Sequence, residues 1–451
     1  MIKVERLNDL SPARREGILA RSTVSLEETM EATREILRRL REDPERELLR
    51  EYGPLKAGLK LEDFRATDGE IEEAFRVCDP GLIAALKDAS RNILKFHELQ
   101  LERQGSLCET MPGLVCGRVS RPLASAGVYV PGGRAAYPSS ALMNVIPARA
   151  AGVKVIACSS PPGEGFRIRP EILAAASLAG ATSIWKLGGA WAVGSLAYGL
   201  CGVPKVDKIV GPGSSWVNAA KMAVFGDVDV DLPAGPSEGF IVADSGADAG
   251  HLAWDFLAQL EHDPQAAAVL VTPSEELARK TASRVSELLP GLSRSAIVRE
   301  ALANAAILVA DDLDECLDFA NLYAPEHLQI VAAEPLSLLG RVVNAGSVFL
   351  GPWSPIPCGD YASGPNHVLP TGGAARAFSG LSADSFMKKI TFQQLSRGAL
   401  EALSPAVTTI ARAEGLECHA ETVLARLGKP GRGAPESTGQ AHQLPTGRKG
   451  D

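Results

Sequence analysis

The chain has 451 residues, 45% of them hydrophobic and 22% charged, with a formal net charge of −8. A length of this order fits roughly two to four domains, and the composition excludes a disordered chain and a small disulfide scaffold. Lysine and arginine are spread along the chain, so no polyanion-binding surface, and hence no nucleic-acid partner, is expected.

The N-terminal stretch MIKVERLNDLSPARRE has no apolar signal core. No run approaches the about 18–20 apolar residues that span a bilayer, so the chain reads as cytoplasmic and without a membrane partner. The eight cysteines form no CxxC pair, and several lie within apolar runs as reduced, buried thiols do.

The first hundred residues read as helical. Ser25 and Glu28 have the spacing of a capping box, and Met30, Ile36, Leu37 and Leu40 follow at helical spacing. Pro44 ends or kinks that helix, and further helices are expected over Asp68–Cys78 and from Pro80 to near Gln100. From Gly127 short apolar runs alternate with small-residue helices. Strands are expected at 127–131, 153–158, 208–210, 240–244 and 268–272, with helices over 139–151 and 170–178, from Ser214, and over 250–262. This alternation is the pattern of βαβ units and a parallel sheet. The stretches 127–158 and 240–272 share a plan, which hints at duplicated α/β halves. A Pro/Gly-rich loop (351–376) and a helical segment (382–427) follow, and the nearly apolar-free end (428–451) reads as a disordered tail.

Four histidine-containing segments invite a chemical reading. In AQLEHDP (258–264), Gln259 and His262 stand three apart at the end of an expected helix. They could chelate a divalent metal from one face, or His262 could simply favour the negative end of the helix dipole. In YAPEHLQI (323–330), a carboxylate beside an imidazole suits acid–base work, and a solvated loop is the alternative. CGDYASGPNHVLPTGG (358–373) reads either as a rigid loop approaching a ligand or as a surface loop, and AEGLECHAE (413–421) as an exposed helix face. Two glycine-rich turns, KLGGAWAVG (186–194) and KIVGPGSSWVNAAK (208–221), lead from strand to helix. The second opens helix N–H groups near Ser214 and Ser215 to an anion, although neither is a GxGxxG fingerprint.

In order along the chain, GVYVPGG (127–133), LMNVIPARAAGV (142–153), VDKIVGPG (206–213), DLPAGPSE (231–238) and the four histidine segments resemble the histidinol dehydrogenase family. The resemblance runs from about Leu26 to Leu427 and is densest after Leu232. It implies an α/β fold with two Rossmann-like parallel-sheet domains and helical N- and C-terminal segments. The expected division is 1–126 with 238–380 as the first α/β domain, 127–237 as the second, on the cofactor side, 381–427 as the helical C-terminal segment and 428–451 as the tail.

The resemblance further implies oxidation of L-histidinol to L-histidine through the aldehyde, with zinc and two NAD, in a homodimer with shared active sites. Its implied zinc ligands are Gln259, His262, Asp360 and His419, and its acid–base pair is Glu326 and His327. Ser237, His327 and Glu414 are implied substrate contacts alongside the ligands themselves. Tyr129 agrees with a family NAD contact, whereas Trp191 stands for the family's Gln and Ser214 for its Asn. A paralogue acting on another small polar alcohol would use the same residues, and a zinc-binding homologue without dehydrogenase activity would have no need of Glu326 and His327.

Overall fold

The computed structural model describes residues 2–21, 27–101, 105–132, 136–231 and 235–429. The capping box expected at Ser25 and Glu28 and the tail beyond residue 429 lie outside what is described, as do residues 133 and 232–234 of the quoted motifs. The chain divides into two compact units, one of residues 1–101 with 122–388 and one of residues 102–121 with 389–451. No helix among the described residues is long and apolar enough to cross a membrane.

The N-terminal stretch is not wholly helical, since Val4–Arg6 forms a short strand, β1. The strands β2 (Ser106–Met111) and β3 (Leu114–Pro122) pair as an antiparallel hairpin. A five-stranded parallel sheet follows, made of β4 (Ser125–Tyr129), β5 (Val155–Ser160), β6 (Ser183–Lys186), β7 (Lys208–Val210) and β8 (Asp229–Val230). Its strand order is β6-β5-β4-β7-β8. A second parallel series comprises β9 (Glu238–Ala243), β10 (Ala267–Thr272), β11 (Ala305–Val309), β12 (His327–Val331) and β13 (Ser347–Leu350). With β1 added at its edge, this sheet runs β1-β11-β10-β9-β12-β13. Apart from β1, both sheets follow one doubly wound order, third-second-first-fourth-fifth, so the shared plan of 127–158 and 240–272 reflects a repeated architecture.

The central strands are buried on both faces, which is why they read as continuous apolar runs. Alternate side chains feed separate cores. On the five-stranded sheet, Ala126, Val128, Ile156 and Cys158 pack on one side, and Tyr129, Ala157 and Ile209 on the other. Ile36, Leu37 and Leu40 of the helix Glu27–Glu42 join the second of these cores. Leu37 and Leu40 press against Gly194, where an added Cβ would lie 2.7 Å from each. Pro44 does begin a new helix, Pro44–Tyr52, capped by Asp43. On the six-stranded sheet, Ile241, Leu270 and Ile307 face one core, and Phe240, Val271 and Leu328 the other.

The segment expected to be helical from Ser382 departs from that reading. A short 3-10 turn occupies Ala383–Phe386, Met387–Leu395 is a strand, β14, beside β3, and α-helices occupy only Arg397–Ala413 and Glu417–Arg426. Its β-branched and aromatic centre, Ile390-Thr391-Phe392, suits a strand, and Gly117 of β3 leaves room for the Phe392 ring.

One buried join explains Asn366. The helix Pro138–Ala151 contains Pro147, which has no N–H to offer the carbonyl of Met143. The Asn366 amide donates to that carbonyl at 2.6 Å, while its oxygen accepts from the Val368 N–H at 2.9 Å. Its amide also lies 3.4 Å from Nε2 of fully buried His97, whose pKa burial pushes down. Asn366→Leu should therefore cost about 1–3 kcal/mol in urea unfolding by orphaning the Met143 carbonyl. Pro147→Ala supplies the missing helix donor, so adding it should recover part of that loss. Strictly additive losses in the double variant would mean that Asn366 does not serve this carbonyl.

Candidate active site

A cavity of about 560 Å³ opens between the two parallel sheets. One wall is the carboxyl-end edge of the five-stranded sheet, where Pro212, Ser214 and Asn218 follow β7. The opposite wall is the amino-end edge of the six-stranded sheet, with Ser237, Glu326 and His327. His262, Asp360 and His367 line the same space.

Glu326 and His327 are not on a solvated loop, being only 6% and 4% exposed. The helix Leu313–Tyr323 ends in left-handed Ala324, Pro325 follows, and His327 is the first residue of β12. Because β12 runs parallel to β9, His327 stands beside Gly239 and Glu326 beside Glu238. The two glutamates clasp each other: the Glu238 N–H donates to the Glu326 carboxylate at 2.9 Å, and the Glu326 N–H to the Glu238 carboxylate at 3.2 Å. His327 Nδ1 lies 3.2 Å from the Glu238 carbonyl and Nε2 3.2 Å from Asp360 Oδ1. Both neighbours are acceptors, so the surroundings favour the doubly protonated ring. Burial pulls the His327 pKa down, but the Glu326 charge and the Asp360 hydrogen bond outweigh it and raise it to about 9. Burial lifts Glu326 to about 7, against the opposing pull of His327.

Gln259 lies in the last turn of the helix Ala249–Leu260 and is 1% exposed. It packs on Gly239, where a Cβ would come within 2.4 Å of its Cγ, so β9 needs glycine there. Its Oε1 is buried without a hydrogen-bond partner. The helix was expected to reach His262 but stops at Leu260. Pro264 cannot continue it, and Asp263 instead accepts hydrogen bonds from the N–H groups of Gln265 and Ala266. His262 thus reaches the cavity from the turn beyond the helix rather than from a shared helical face.

Asp360 sits on a short helix, Ile356–Tyr361, inside what reads in sequence as a loop. Its carbonyl accepts from His367 Nδ1 at 2.8 Å. Burial opposes ionisation of Asp360, but the hydrogen bond and charge of His327 prevail and lower its pKa. Burial holds His262 neutral, with its pKa lowered despite Asp360.

Among the described residues, no group of three or more His, Cys, Asp and Glu side chains is arranged to hold a metal ion. The expected ligands on this unit are mixed: His262, a neutral imidazole, and Asp360, an ionised carboxylate, line the cavity, and the buried Gln259 amide oxygen is unpartnered. That set suits a divalent cation such as zinc. Glu414 and His419 belong to the second unit, at the C-cap of Arg397–Ala413 and on Glu417–Arg426.

The three expected cofactor residues are placed differently from one another. Ser214 lines the cavity and caps the helix Ser215–Val224 by backbone position only, since its side chain makes no cap hydrogen bond. Tyr129 ends β4, 5% exposed, and its hydroxyl accepts from the Gly189 N–H at 3.4 Å. Trp191 turns toward the helix Pro44–Tyr52, where its indole N–H donates to Glu47 at 3.2 Å and its ring meets Tyr52 edge-on at 6.3 Å.

Sequence reading missed the groups that hold these turns. Gly211 has φ +121°, and a Cβ there would lie 2.1 Å from the Tyr129 carbonyl. Its N–H donates to Asp231 at 2.6 Å and its carbonyl accepts from fully buried Lys221 at 3.0 Å, while Lys221 and Asp231 form an ion pair. A lysine among the alanines of a buried helix was the available signal.

Comparison with known proteins places the chain in a family. The histidinol dehydrogenase family model matches residues 19–427. A histidinol dehydrogenase of Methanosarcina barkeri is 45% identical over 96% of this chain and 100% of its own length. One of Methanopyrus kandleri is 47% identical over 91% and 97%. The crystal structure of histidinol dehydrogenase from Elizabethkingia anophelis superposes with a TM-score of 0.90 at 36% identity, covering 95% of this chain and 98% of that one. A family match across nearly the whole chain and a shared fold leave one assignment: the chain belongs to the histidinol dehydrogenase family of oxidoreductases.

Proposed function

We propose that the chain oxidises L-histidinol to L-histidine through the aldehyde, with two NAD and one zinc site, in histidine biosynthesis in the cytoplasm. The observation that carries this reading is the buried Glu326–His327 pair, joined through His327 to Asp360 and facing Ser214 across one cavity. Residues 127–237 form the cofactor side, and residues 1–126 with 238–380 carry the acid–base pair and three of the metal ligands. Zinc would be held by Gln259, His262, Asp360 and His419, where it supplies a Lewis acid that anchors the imidazole and amine of the substrate. NAD supplies the hydride acceptor for each step.

His327 takes the alcohol proton as the hydride leaves. That transfer starts from the neutral ring, which a cation on Asp360 would favour by taking up the carboxylate charge and hydrogen bond that otherwise raise the His327 pKa. Glu326, with a pKa near neutrality, then removes a proton from the water that attacks the aldehyde. Ser237 and Glu414 contact the substrate. On the cofactor side, Ser214 is the group best placed to meet NAD, Tyr129 backs the turn, and Trp191 supports that turn through Glu47.

The direct test is NADH absorbance with histidinol, with and without added zinc. Two NADH per histidinol are expected, and a chain that forms none overturns the reading. Glu326→Gln should slow the second oxidation by about 10²–10⁴-fold while the first step suffers less, as single-turnover kinetics would resolve.

Gln259→Leu should lose zinc in metal analysis. The same change removes a buried, unpartnered oxygen, so the metal-free protein should be as stable as before or up to about 1–3 kcal/mol more stable. A stable variant that retains stoichiometric zinc would remove Gln259 from the ligand set.

The site is further proposed to be shared in a homodimer, with residues 381–427 bringing Glu414 and His419 to the partner's cavity. Mixing inactive His419→Ala and His327→Ala chains should then restore part of the activity. No recovery after demonstrated subunit exchange would place all the ligands within one chain.

A further inference from the structure

Arg21 has no role in the chemistry so far, yet its side chain is only 4% exposed, and apart from an approach to Gly373 its contacts frame Glu326. Its Nε forms an ion pair with Glu238 Oε2 at 2.5 Å. Its Nη2 donates to the carbonyl of Tyr323 and, at 3.4 Å, to that of Ala324. Its guanidinium lies 3.5 Å from the centroid of the Tyr323 ring, and Tyr323 is fully buried. Tyr323 and Ala324 end the helix that leads into Pro325 and Glu326, while Glu238 accepts the Glu326 N–H and donates its own N–H to the Glu326 carboxylate.

The backbone of Arg21 gives a second, independent indication. It closes the helix Pro12–Ala20 with φ 57° and ψ −169°, a conformation that a residue with a Cβ adopts at a cost. Such strain persists only where surrounding contacts hold it, and here they include the ion pair, carbonyl and ring contacts just described.

Resting on the reading of Glu326 and His327 as base groups, we infer that Arg21 is a positioning residue that fixes the Ala324–Glu326 bend and the Glu238 carboxylate, and through them the direction of the Glu326 carboxylate. A planar guanidinium spans one carboxylate and two carbonyls at once, whereas an ammonium cannot. Arg21 touches neither substrate nor metal, so removing it should lower kcat and leave binding in place.

The test uses the full chain with zinc bound and compares Arg21→Met, Arg21→Lys and Glu326→Gln. For Arg21→Met, kcat should fall about 100-fold, with KM for histidinol and NAD within about threefold and zinc content unchanged. Arg21→Lys keeps the charge, should melt near the parent temperature and should still lose about tenfold in kcat. Unchanged kcat in either variant overturns the inference, as does loss of kcat in proportion to loss of zinc or of folded protein. If neither variant folds, Arg21 is a structural residue and the inference is wrong. If Glu326→Gln keeps both oxidation steps at the parent rate, the underlying reading of the acid–base pair fails instead. A dead Glu326→Gln beside a fully active Arg21→Met sinks the positioning role alone.

Discussion

The site depends on the parallel pairing of β9 with β12. That register places Glu326 beside Glu238 and His327 beside Gly239, so each main chain satisfies the other's carboxylate or ring. A slip of one residue would turn Glu326 and His327 to the opposite faces of the sheet. Gly239 also admits Gln259, so one pair of strands sets Glu326, His327 and the unpartnered Gln259 oxygen together.

This arrangement departs from the usual rule for doubly wound sheets, in which ligands meet the carboxyl ends of the strands. On the five-stranded sheet the cavity opens at the carboxyl ends, where Tyr129, Gly189 and Ser214 lie at or just beyond strand ends. The six-stranded sheet instead presents the amino ends of β9 and β12. Strand starts are well suited to holding charged groups, because the residues that open a strand still have backbone N–H groups free to bind carboxylates. Glu238 and Glu326 each use the other's N–H in this way.

The fold was largely legible because its central strands are buried on both faces, and such strands announce themselves as short apolar runs. KIV at 208–210 is a strand to the residue, and other boundaries shift by one or two positions. β11, the buried run Ala305–Val309, carries that signature and was still not among the expected strands, whereas β1 and β14 lack it. The strand β1 is three residues, Val-Glu-Arg, at a sheet edge, and β14 has a largely exposed face that alternates too little to separate from a helix. The candidate residues themselves were visible through motif resemblance, not through spacing: the Gln259–His262 pair is not a helical face, and Asp360 is not on a loop. Arg21 could not be read at all. Its partners Glu238 and Tyr323 lie more than two hundred residues away, and only the folded sheet brings them to it.

Buried charge at this site is costly, and each instance is compensated by a specific neighbour. Glu238 meets Arg21, Glu326 and Asp360 meet His327, and Lys221 meets Asp231. Well-packed apolar residues would stabilise the fold at least as well as such pairs. Glu326, His327 and Asp360 line the cavity, and around them an unpartnered Gln259 oxygen and a strained Arg21 mark further departures from packing rules. Asn366 shows the opposite case. It stands beside His367 in a motif that reads as functional, yet its bonds go to a carbonyl that a proline left open. Neighbours in sequence therefore differ in role according to where their hydrogen bonds end: those of His367 and His327 end on Asp360 in the cavity, and those of Asn366 in the core.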